Sequence, residues 1–324
     1  LLRNTCRTSS ARPVKCNDNK LLVSTLAALG TGFDCASKVE IELVTSIGVA
    51  PERIIFANPA KMASHISYAS AVGVDVMTFD SEDELMKIKQ YMPLVLRFRC
   101  DAASAICQLG IKFGCDPITE APKLLKLAAV LGLDVSMTGV SFHVGSGNTE
   151  TEVYARAIAL SRALFRVAHN VGHKNMRLLD IGGGFPGGSH SSIQVINSSL
   201  EEHFPESTVR VIAEPGTYFA AAAFTLATMV HAKRKVCSIL SHLNYCFSGN
   251  NIFFDYGCPR FACSVWGPTC DGVDCVLPAT CLPALDVGDW LLFRDMGAYT
   301  LALATRFNGF HAPAVRPVID SRWA

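Results

Sequence analysis

Short apolar segments alternate with longer segments of helical spacing from the N-terminus to about Gly216. The apolar segments predict eight strands, and seven helices are predicted between them. The predicted strands cover residues 13–17, 32–35, 53–57, 75–80, 94–100, 136–144, 177–182 and 209–214. Because strand–helix alternation forms a parallel sheet and eight units close a barrel, we predict an α/β fold with a (β/α)8 TIM-like barrel. A doubly wound sheet is the alternative, since periodicity does not show closure.

Helix starts can be recognised at three places. Ser37 with Glu40 and Ser81 with Glu84 have the spacing of a capping box, in which the serine accepts from the backbone of the glutamate. Asp116, which precedes a proline, is predicted to cap a third helix. The capping role is sufficient to explain Glu40 without any chemistry.

The pattern changes after the eighth predicted strand. An apolar stretch over residues 219–230 is expected to complete the last helix and enter a strand, and short segments separated by Gly, Pro, Asn and Asp follow. These features predict a smaller β domain. We therefore expect a barrel over residues 12–222 and a C-terminal β domain over residues 223–324, with residues 1–11 as a remnant N-terminal segment.

Composition narrows the class of protein. Half of the 324 residues are hydrophobic, 18% are charged and the formal net charge is +1. This composition excludes a disordered chain and argues against nucleic-acid binding. The longest uncharged apolar stretch, residues 215–230, is too short to cross a bilayer, and basic residues interrupt any secretory signal near the start. We expect no contact with nucleic acid or membrane.

The positions of the cysteines and histidines indicate the cellular compartment and test for a metal site. The thirteen cysteines are an odd number without a Cys-x-x-Cys pair, which favours reduced thiols and a cytoplasmic protein. His169 and His173 have a zinc-like spacing, but no third ligand is near, and a solvated helix face is the better interpretation. No metal site is predicted.

Polar residues stand where the predicted strands end. In a TIM barrel the chemistry lies at the carboxyl ends of the strands, so these residues are candidates for an active site. They are Lys15, Asp34, Asn58, Asp80, Arg97, His143, Gly182, Gly183, Gly184 and Glu214. Each also has a structural interpretation: Lys15 as a surface lysine, His143 as a core histidine and Glu214 as the cap of a turn.

Residues 182–187 match the G-x-G-x-x-G pattern. A dinucleotide site needs a helix to open inside the motif, whereas Pro186 interrupts it and a polar loop follows. The motif also follows the seventh strand rather than the first. Three glycines at this position suit a phosphate group, because phosphate sites recur after the seventh strand of barrels.

Several segments resemble the ornithine decarboxylase family, which are pyridoxal-phosphate enzymes and include the antizyme inhibitors. The matching segments are VKCN (14–17), GFDCASK (32–38), MTFDSE (77–82), SFHVGSG (141–147), LDIGGGFPG (179–187), AEPG (213–216), WGPTCDG (266–272) and VGDW (287–290). The resemblance covers nearly the whole chain in order. It implies a barrel followed by a β domain, pyridoxal 5'-phosphate as the cofactor and an amino-acid decarboxylase that makes polyamines such as putrescine.

The resemblance assigns roles residue by residue. Lys15 would bond covalently to the cofactor, Glu214 would pair with the pyridine nitrogen, and His143 would stack on the ring. The other implied cofactor-binding residues are Asp34, Arg97, Ser146, Gly182, Gly183, Gly184 and Tyr299. Cys270 would join Lys15 and His143 as a catalytic residue, reaching in from the partner subunit of a homodimer with shared active sites. Asp255 and Asp271 would bind the distal ammonium group of the substrate.

Three departures from the family pattern leave a second function open. Thr217 stands where the family has an arginine on the phosphate, the Gly-Val-Tyr-Gly element is absent, and the loop over residues 255–266 is short. The chain is therefore either a decarboxylase of ornithine or a related amino acid, or a catalytically weak regulator that resembles the antizyme inhibitors. Antizyme is a candidate partner through residues 66–88, although Ser67 replaces the usual lysine and the local charges are mostly acidic.

Overall fold

The computed structural model describes residues 8–90, 93–134, 136–185, 191–236, 240–244 and 259–318. The chain forms two compact units, the first ending at Ala220 and the second beginning at Ala221. Each unit has its own apolar core. Within the described part of the chain, the helices are too short or too polar to span a membrane.

The first unit is a closed barrel of eight parallel strands in sequential order. The strands are β1 (Thr8–Pro13), β2 (Gly32–Cys35), β3 (Ile54–Phe56), β4 (Met77–Phe79), β5 (Leu94–Arg97), β6 (Met137–Ser141), β7 (Leu178–Asp180) and β8 (Arg210–Ala213). Ser9 of β1 pairs with Ile212 of β8, which closes the barrel. The predicted TIM-like barrel is confirmed, and the open-sheet alternative is wrong.

The first strand lies earlier in the sequence than predicted. β1 ends at Pro13, and residues 14–16 form a 3-10 turn in which Asn17 N–H donates to Val14 O at 3.0 Å. Residues 8–11, predicted to lie outside the barrel, therefore belong to its first strand. The sequence does not predict this strand because the segment is polar and has no apolar pattern. Arg12, which is fully buried, donates from Nη2 to Asn17 O at 2.6 Å.

Within the described residues of the first unit, eight α-helices follow the strands. They are α1 (Lys20–Ala28), α2 (Lys38–Ser46), α3 (Ala63–Ala71), α4 (Glu82–Ile88), α5 (Ala121–Val130), α6 (Glu152–Asn170), α7 (Ser191–His203) and α8 (Gly216–Ala220). The serine caps of α2 and α4 are confirmed, since Ser37 Oγ and Ser81 Oγ each accept from the predicted backbone N–H at 3.3 Å. These caps fix where the chain turns from strand end to helix.

Two predictions about helices are wrong. Asp116 does not cap α5: its Oδ1 accepts from the N–H groups of Ile118 and Thr119, which makes a turn five residues before the helix begins. His173 does not share a solvated face with His169. It lies beyond the end of α6, fully buried, with Nε2 2.8 Å from Leu125 O. Its role is to tie the end of α6 to α5.

The second unit is built from strands, as predicted. Its strands are β9 (Leu226–Met229), β10 (Lys233–Val236), β11 (Leu240–Asn244), β12 (Arg260–Trp266), β13 (Cys275–Pro283) and β14 (Trp290–Phe293). β10 to β13 form a four-stranded sheet in that order, and β14 pairs antiparallel with β9. Val265, Leu282, Leu291 and Phe293 are buried in its core.

Candidate active site

Lys15 lies in the turn directly after β1, with its side chain 42% exposed. Its Nζ forms an ion pair with the carboxylate of Asp34, a fully buried residue of β2. The pairing of Pro13 with Asp34 across β1 and β2 brings the two residues together. Asp34 Oδ1 is buried without a hydrogen-bond partner in the described structure. The lysine is thus held by one oxygen of Asp34 while part of its side chain stays accessible.

Glu214 and Asp180 are buried on neighbouring strands of the same barrel end. Asp180 is the last residue of β7 and Glu214 follows β8, and they are 2% and 6% exposed. The two carboxyl groups are close enough to influence each other electrostatically. Glu214 N–H donates to Gly182 O at 2.6 Å, and Gly182 N–H donates to Asp180 Oδ1 at 2.9 Å. Glu214 Oε1 is buried and has no hydrogen-bond partner within the described residues.

The electrostatics of this pair favour protonation. Burial raises the pKa of Glu214 well above its usual range, and the neighbouring acids Asp180 and Asp34 raise it further, against the opposing charges of Lys15 and Arg97. Burial likewise raises the pKa of Asp180 to about 6, although the hydrogen bond from Gly182 N–H opposes the shift. Ionising both acids in one buried site is energetically unfavourable.

His143 follows β6 and is half-buried. Its Nδ1 accepts from Gly145 N–H at 3.0 Å, so the proton of the neutral ring lies on Nε2. Burial lowers the pKa of His143 well below its usual value, and the positive charges of Arg97 and Lys15 lower it further. The ring is therefore neutral near pH 7. Arg97 ends β5 and lies over the ring of Phe113, with 5.5 Å between the guanidinium and the ring centroid.

The glycine segment after β7 packs too tightly for larger residues. Gly182 and Gly184 have φ of +60° and +92°, and a Cβ at Gly182 would lie 2.1 Å from Phe142 O. A Cβ at Gly183 would lie 2.9 Å from His143 Nε2. Tyr154 of α6 braces the segment by donating from its hydroxyl to Gly183 O at 3.0 Å. Close packing therefore explains why these positions are glycine, independently of any phosphate binding. Residues 186–187 of the motif lie outside the described residues.

Some predicted strand-end residues serve the backbone instead. Asn58 Nδ2 donates to Ala36 O at 3.1 Å, and Asp80 Oδ2 accepts from Gly114 N–H at 2.7 Å. Glu40 Oε2 accepts from Ala36 N–H at 2.6 Å, and its half-buried position raises its pKa to about 7. These side chains fix the loops at the barrel mouth. Ser146, also half-buried, lies in a backbone bridge with Cys107, with N–H to O distances of 3.0 and 3.2 Å.

The other predicted site residues belong to the second unit. Cys270 is exposed on the turn between β12 and β13, and its N–H donates to Asn308 Oδ1 at 2.8 Å. Asp271 is also exposed and accepts from Val273 N–H at 3.0 Å. Tyr299 has a positive φ of 54°. Asp255 lies outside the described residues. The contribution of these four residues to the barrel site remains a prediction.

The barrel residues fit the cofactor that the sequence predicts. A pyridoxal phosphate site needs an accessible amine and an acid for the ring nitrogen, and Lys15 and the unfilled Oε1 of Glu214 supply both at one end of the barrel. The sequence alone explains Asp180 as a side chain that bonds the backbone of the glycine turn, and it gives no reason to select Tyr154. The signal for Asp180 was its position at a strand end, like every other candidate.

Comparisons with known proteins identify the family of this chain. The model of the pyridoxal-binding domain of pyridoxal-dependent decarboxylases matches residues 5–221, and that of their C-terminal sheet domain matches residues 153–297. Ornithine decarboxylase of Rattus norvegicus is 45% identical over 96% of this chain and 75% of its own length. Antizyme inhibitor 2 of Xenopus laevis is 46% identical over 93% of this chain and 74% of its own length.

Solved structures show the same architecture. The arginine decarboxylase of Paramecium bursaria Chlorella virus bound to agmatine is 39% identical with a TM-score of 0.88, covering 94% of this chain and 88% of that chain. The lysine/ornithine decarboxylase of Vibrio vulnificus complexed with cadaverine is 30% identical with a TM-score of 0.83, covering 94% and 86%. The chain belongs to the pyridoxal-dependent decarboxylase family, whose cofactor is pyridoxal phosphate.

Proposed function

We propose that this protein decarboxylates ornithine or a related diamino acid and so makes putrescine or a similar diamine for polyamine biosynthesis. The observation that carries the proposal is that Lys15, with a side chain 42% exposed, and the buried Glu214, whose Oε1 has no partner within the described residues, lie at the same carboxyl end of the barrel. The ornithine decarboxylase relatives support the choice of substrate class.

Each barrel residue then has a defined task. Bound pyridoxal phosphate supplies an electron sink for the electron pair left when the carboxylate departs. Lys15 holds the cofactor and Asp34 holds Lys15. Glu214 Oε1 would accept a hydrogen bond from the ring nitrogen, and the neutral ring of His143 would pack against the cofactor. Because Gly182 N–H already donates to Asp180, we assign the phosphate to Gly183, Gly184 and Ser146.

A second function has its own support. Thr217, the second residue of α8, cannot supply the charge of an arginine, and charge-assisted hydrogen bonds are about twice as strong as neutral ones. An antizyme inhibitor is among the relatives. The alternative is a catalytically weak regulator that binds antizyme, with α3 and α4 as the candidate surface.

One assay separates the two functions. Purified protein saturated with pyridoxal phosphate is incubated with ornithine, lysine or arginine, and carbon dioxide and diamine are measured. A decarboxylase releases both in equal amounts, and a Lys15→Ala variant releases neither. If the protein is a regulator, the wild type releases no more carbon dioxide or diamine than Lys15→Ala at any cofactor concentration. Both the wild type and Lys15→Ala then bind antizyme.

We propose that the active enzyme is a homodimer with shared sites, because the predicted Cys270 and Asp271 belong to the second unit. An equal mixture of Lys15→Ala and Cys270→Ala chains should then regain about a quarter of wild-type activity, since half of the dimers contain one repaired site of two. No recovery after demonstrated subunit exchange would mean that each chain builds its own site. We also propose a cytoplasmic location, which the free thiols of the described cysteines support.

A further inference from the structure

The β6 loop (residues 144–150) carries Ser146, to which the cofactor phosphate is assigned, and lies against the β5 loop (residues 102–107). Ser146 and Cys107 exchange two backbone hydrogen bonds, with N–H to O distances of 3.0 and 3.2 Å. Because one of these bonds uses the backbone N–H of Ser146, the hydroxyl group is the donor that remains for a phosphate. This hydroxyl makes no hydrogen bond to another described residue.

Ser104 of the β5 loop joins the two loops through its side chain. Its Oγ accepts from the N–H groups of Thr149 and Glu150 at 3.2 and 3.1 Å, and it donates to Asn148 Oδ1 at 3.1 Å. Asn148 is 5% exposed, and its Oδ1 also accepts from Glu150 N–H at 2.7 Å. A further bond runs from Ala103 N–H to Glu150 Oε2 at 3.1 Å. The three bonds of the Ser104 hydroxyl use its donor and both of its acceptor positions.

The two loops also pack closely on both sides of Ser146. Gly145 has φ of +94°, and a Cβ there would lie 2.6 Å from Ala105 Cβ. Gly147 has φ of +68°, and a Cβ there would lie 2.7 Å from Ile106 Cδ1. Glycine restricts the backbone less than any other residue, so two glycines give this stretch little order of its own. The β5 loop therefore supplies the order that the β6 loop lacks.

We propose that Ser104 is a positioning residue that holds the β6 loop in the shape in which the Ser146 hydroxyl binds the cofactor phosphate. Ser104 acts through the loop, because its own hydroxyl has no donor left for a ligand. Without this hydroxyl, the N–H of Thr149 loses its acceptor, and the loop has to be ordered when the phosphate binds. Ordering a loop on binding lowers the affinity. The inference rests on the proposed function for the assignment of the phosphate to Ser146.

The first test measures amide hydrogen exchange of the cofactor-free protein. Ser104→Ala should speed exchange of the Thr149 amide about threefold to tenfold, the loss of one neutral hydrogen bond, whereas Ser104→Thr keeps the hydroxyl and should exchange like wild type. Ser46→Ala is the matched control, because Ser46 is an exposed serine at the end of α2 whose Oγ donates to Leu43 O at 2.8 Å. This control should leave the Thr149 amide unchanged. Unchanged exchange at Thr149 in Ser104→Ala would overturn the proposal.

The second test compares the affinity for pyridoxal phosphate with that for pyridoxal, which lacks the phosphate group, in titrations followed by absorbance. Ser146→Ala and Ser104→Ala should both weaken pyridoxal phosphate binding, the latter by about threefold to tenfold, and should leave pyridoxal binding unchanged. Ser104→Thr and Ser46→Ala should match wild type for both compounds. If Ser104→Ala weakens both compounds equally, or weakens neither, Ser104 does not position the phosphate-binding serine and the proposal is overturned.

The inference and the proposed function can fail separately, because these readouts need no turnover. A protein that shows the phosphate-specific loss but releases no carbon dioxide contradicts the proposed decarboxylase function alone. A protein that releases carbon dioxide but binds pyridoxal phosphate equally well with Ser104→Ala contradicts the inference alone. If Ser146→Ala leaves the affinity for pyridoxal phosphate unchanged, the phosphate assignment is wrong and the inference is overturned with it.

Discussion

Glu84 and Glu214 are both buried acids of the barrel unit, but their neighbours differ. Glu84 Oε1 lies 2.7 Å from Lys61 Nζ, and its Oε2 lies 2.6 Å from Lys87 Nζ. Glu214 instead lies near another acid, Asp180, and its Oε1 has no hydrogen-bond partner in the described structure. A buried group with all partners in place stabilises a fold, whereas one with an unfilled position costs stability and is suited to a ligand.

The lysines repeat this contrast. Lys61 is 3% exposed, and its Nζ donates to Thr78 O at 2.6 Å and Asn58 O at 3.0 Å in addition to pairing with Glu84. Burial lowers the pKa of Lys61, which alone would make it a candidate nucleophile. Lys15 pairs with Asp34 and has a side chain that is 42% exposed. Exposure of the side chain therefore distinguishes Lys15, the lysine proposed to hold the cofactor, from Lys61.

The strongest test of the contrast is covalent labelling. Reduction with borohydride in the presence of pyridoxal phosphate, followed by peptide mapping, should place the pyridoxyl label on Lys15 and leave Lys61 unlabelled. Lys15→Ala should abolish the label and reduce turnover by about a thousandfold, a typical loss for a group acting directly in the chemistry. A label on Lys61, Lys20 or Lys112 would show that the site has been assigned to the wrong lysine.

Truncation of the two glutamates should separate stability from binding. Glu84→Ala leaves Lys61 buried without its carboxylate and should lower the free energy of unfolding by about 3–5 kcal/mol. Glu214→Ala removes a buried acid that has an oxygen without a partner, so it should lower the free energy of unfolding much less than Glu84→Ala does. The same substitution should weaken pyridoxal phosphate binding. Denaturant titration and a cofactor titration of each variant check this. Equal destabilisation by the two substitutions would contradict the proposal that Glu84 serves stability and Glu214 serves cofactor binding.

The pH dependence of the cofactor-free protein should follow the Asp180–Glu214 pair. The pKa of Asp180 is about 6 in the folded protein and the ordinary value is 3.8, so the folded state binds the proton more tightly. The pair therefore favours folding at low pH, and this contribution is lost as the pH rises from about 4 through 6, by on the order of 2–3 kcal/mol. Thermal unfolding across this range should show a smaller loss for Asp180→Asn than for wild type. An unchanged slope in Asp180→Asn would contradict the assignment.

The smallest expected effect concerns Thr217. We expect Thr217→Arg to tighten pyridoxal phosphate binding about 10–100-fold, or roughly 1.4–2.7 kcal/mol, because a charge-assisted hydrogen bond replaces a neutral one. Thr217→Gln, which adds length without charge, should change the affinity little. If the protein is a decarboxylase limited by cofactor occupancy, turnover at low cofactor rises with affinity, whereas a regulator gains binding and no turnover. Equal affinities of wild type and Thr217→Arg would mean that another cation already neutralises the phosphate.

Much of the barrel was predictable because its strands have local patterns. β2 has the predicted bounds, and β3 to β8 lie within the predicted segments, since buried parallel strands give continuous apolar runs. The serine caps of α2 and α4 are also local, because donor and acceptor are three residues apart. The family motifs identified the polar residues at the strand ends.

The sequence alone determined the alternation of strands and helices, the candidate residues and their order. Only the tertiary structure decided that polar Thr8–Pro13 is a strand, because its partners β2 and β8 are far apart in sequence and the buried Arg12 leaves no apolar pattern. It also decided that Glu84 is paired with cations and that Glu214 lies near an acid. Both residues are glutamates, and the neighbouring residues in the sequence do not predict which partner each one has. Burial and charge pairing depend on which strand ends meet when the barrel closes, and that is a property of the whole fold.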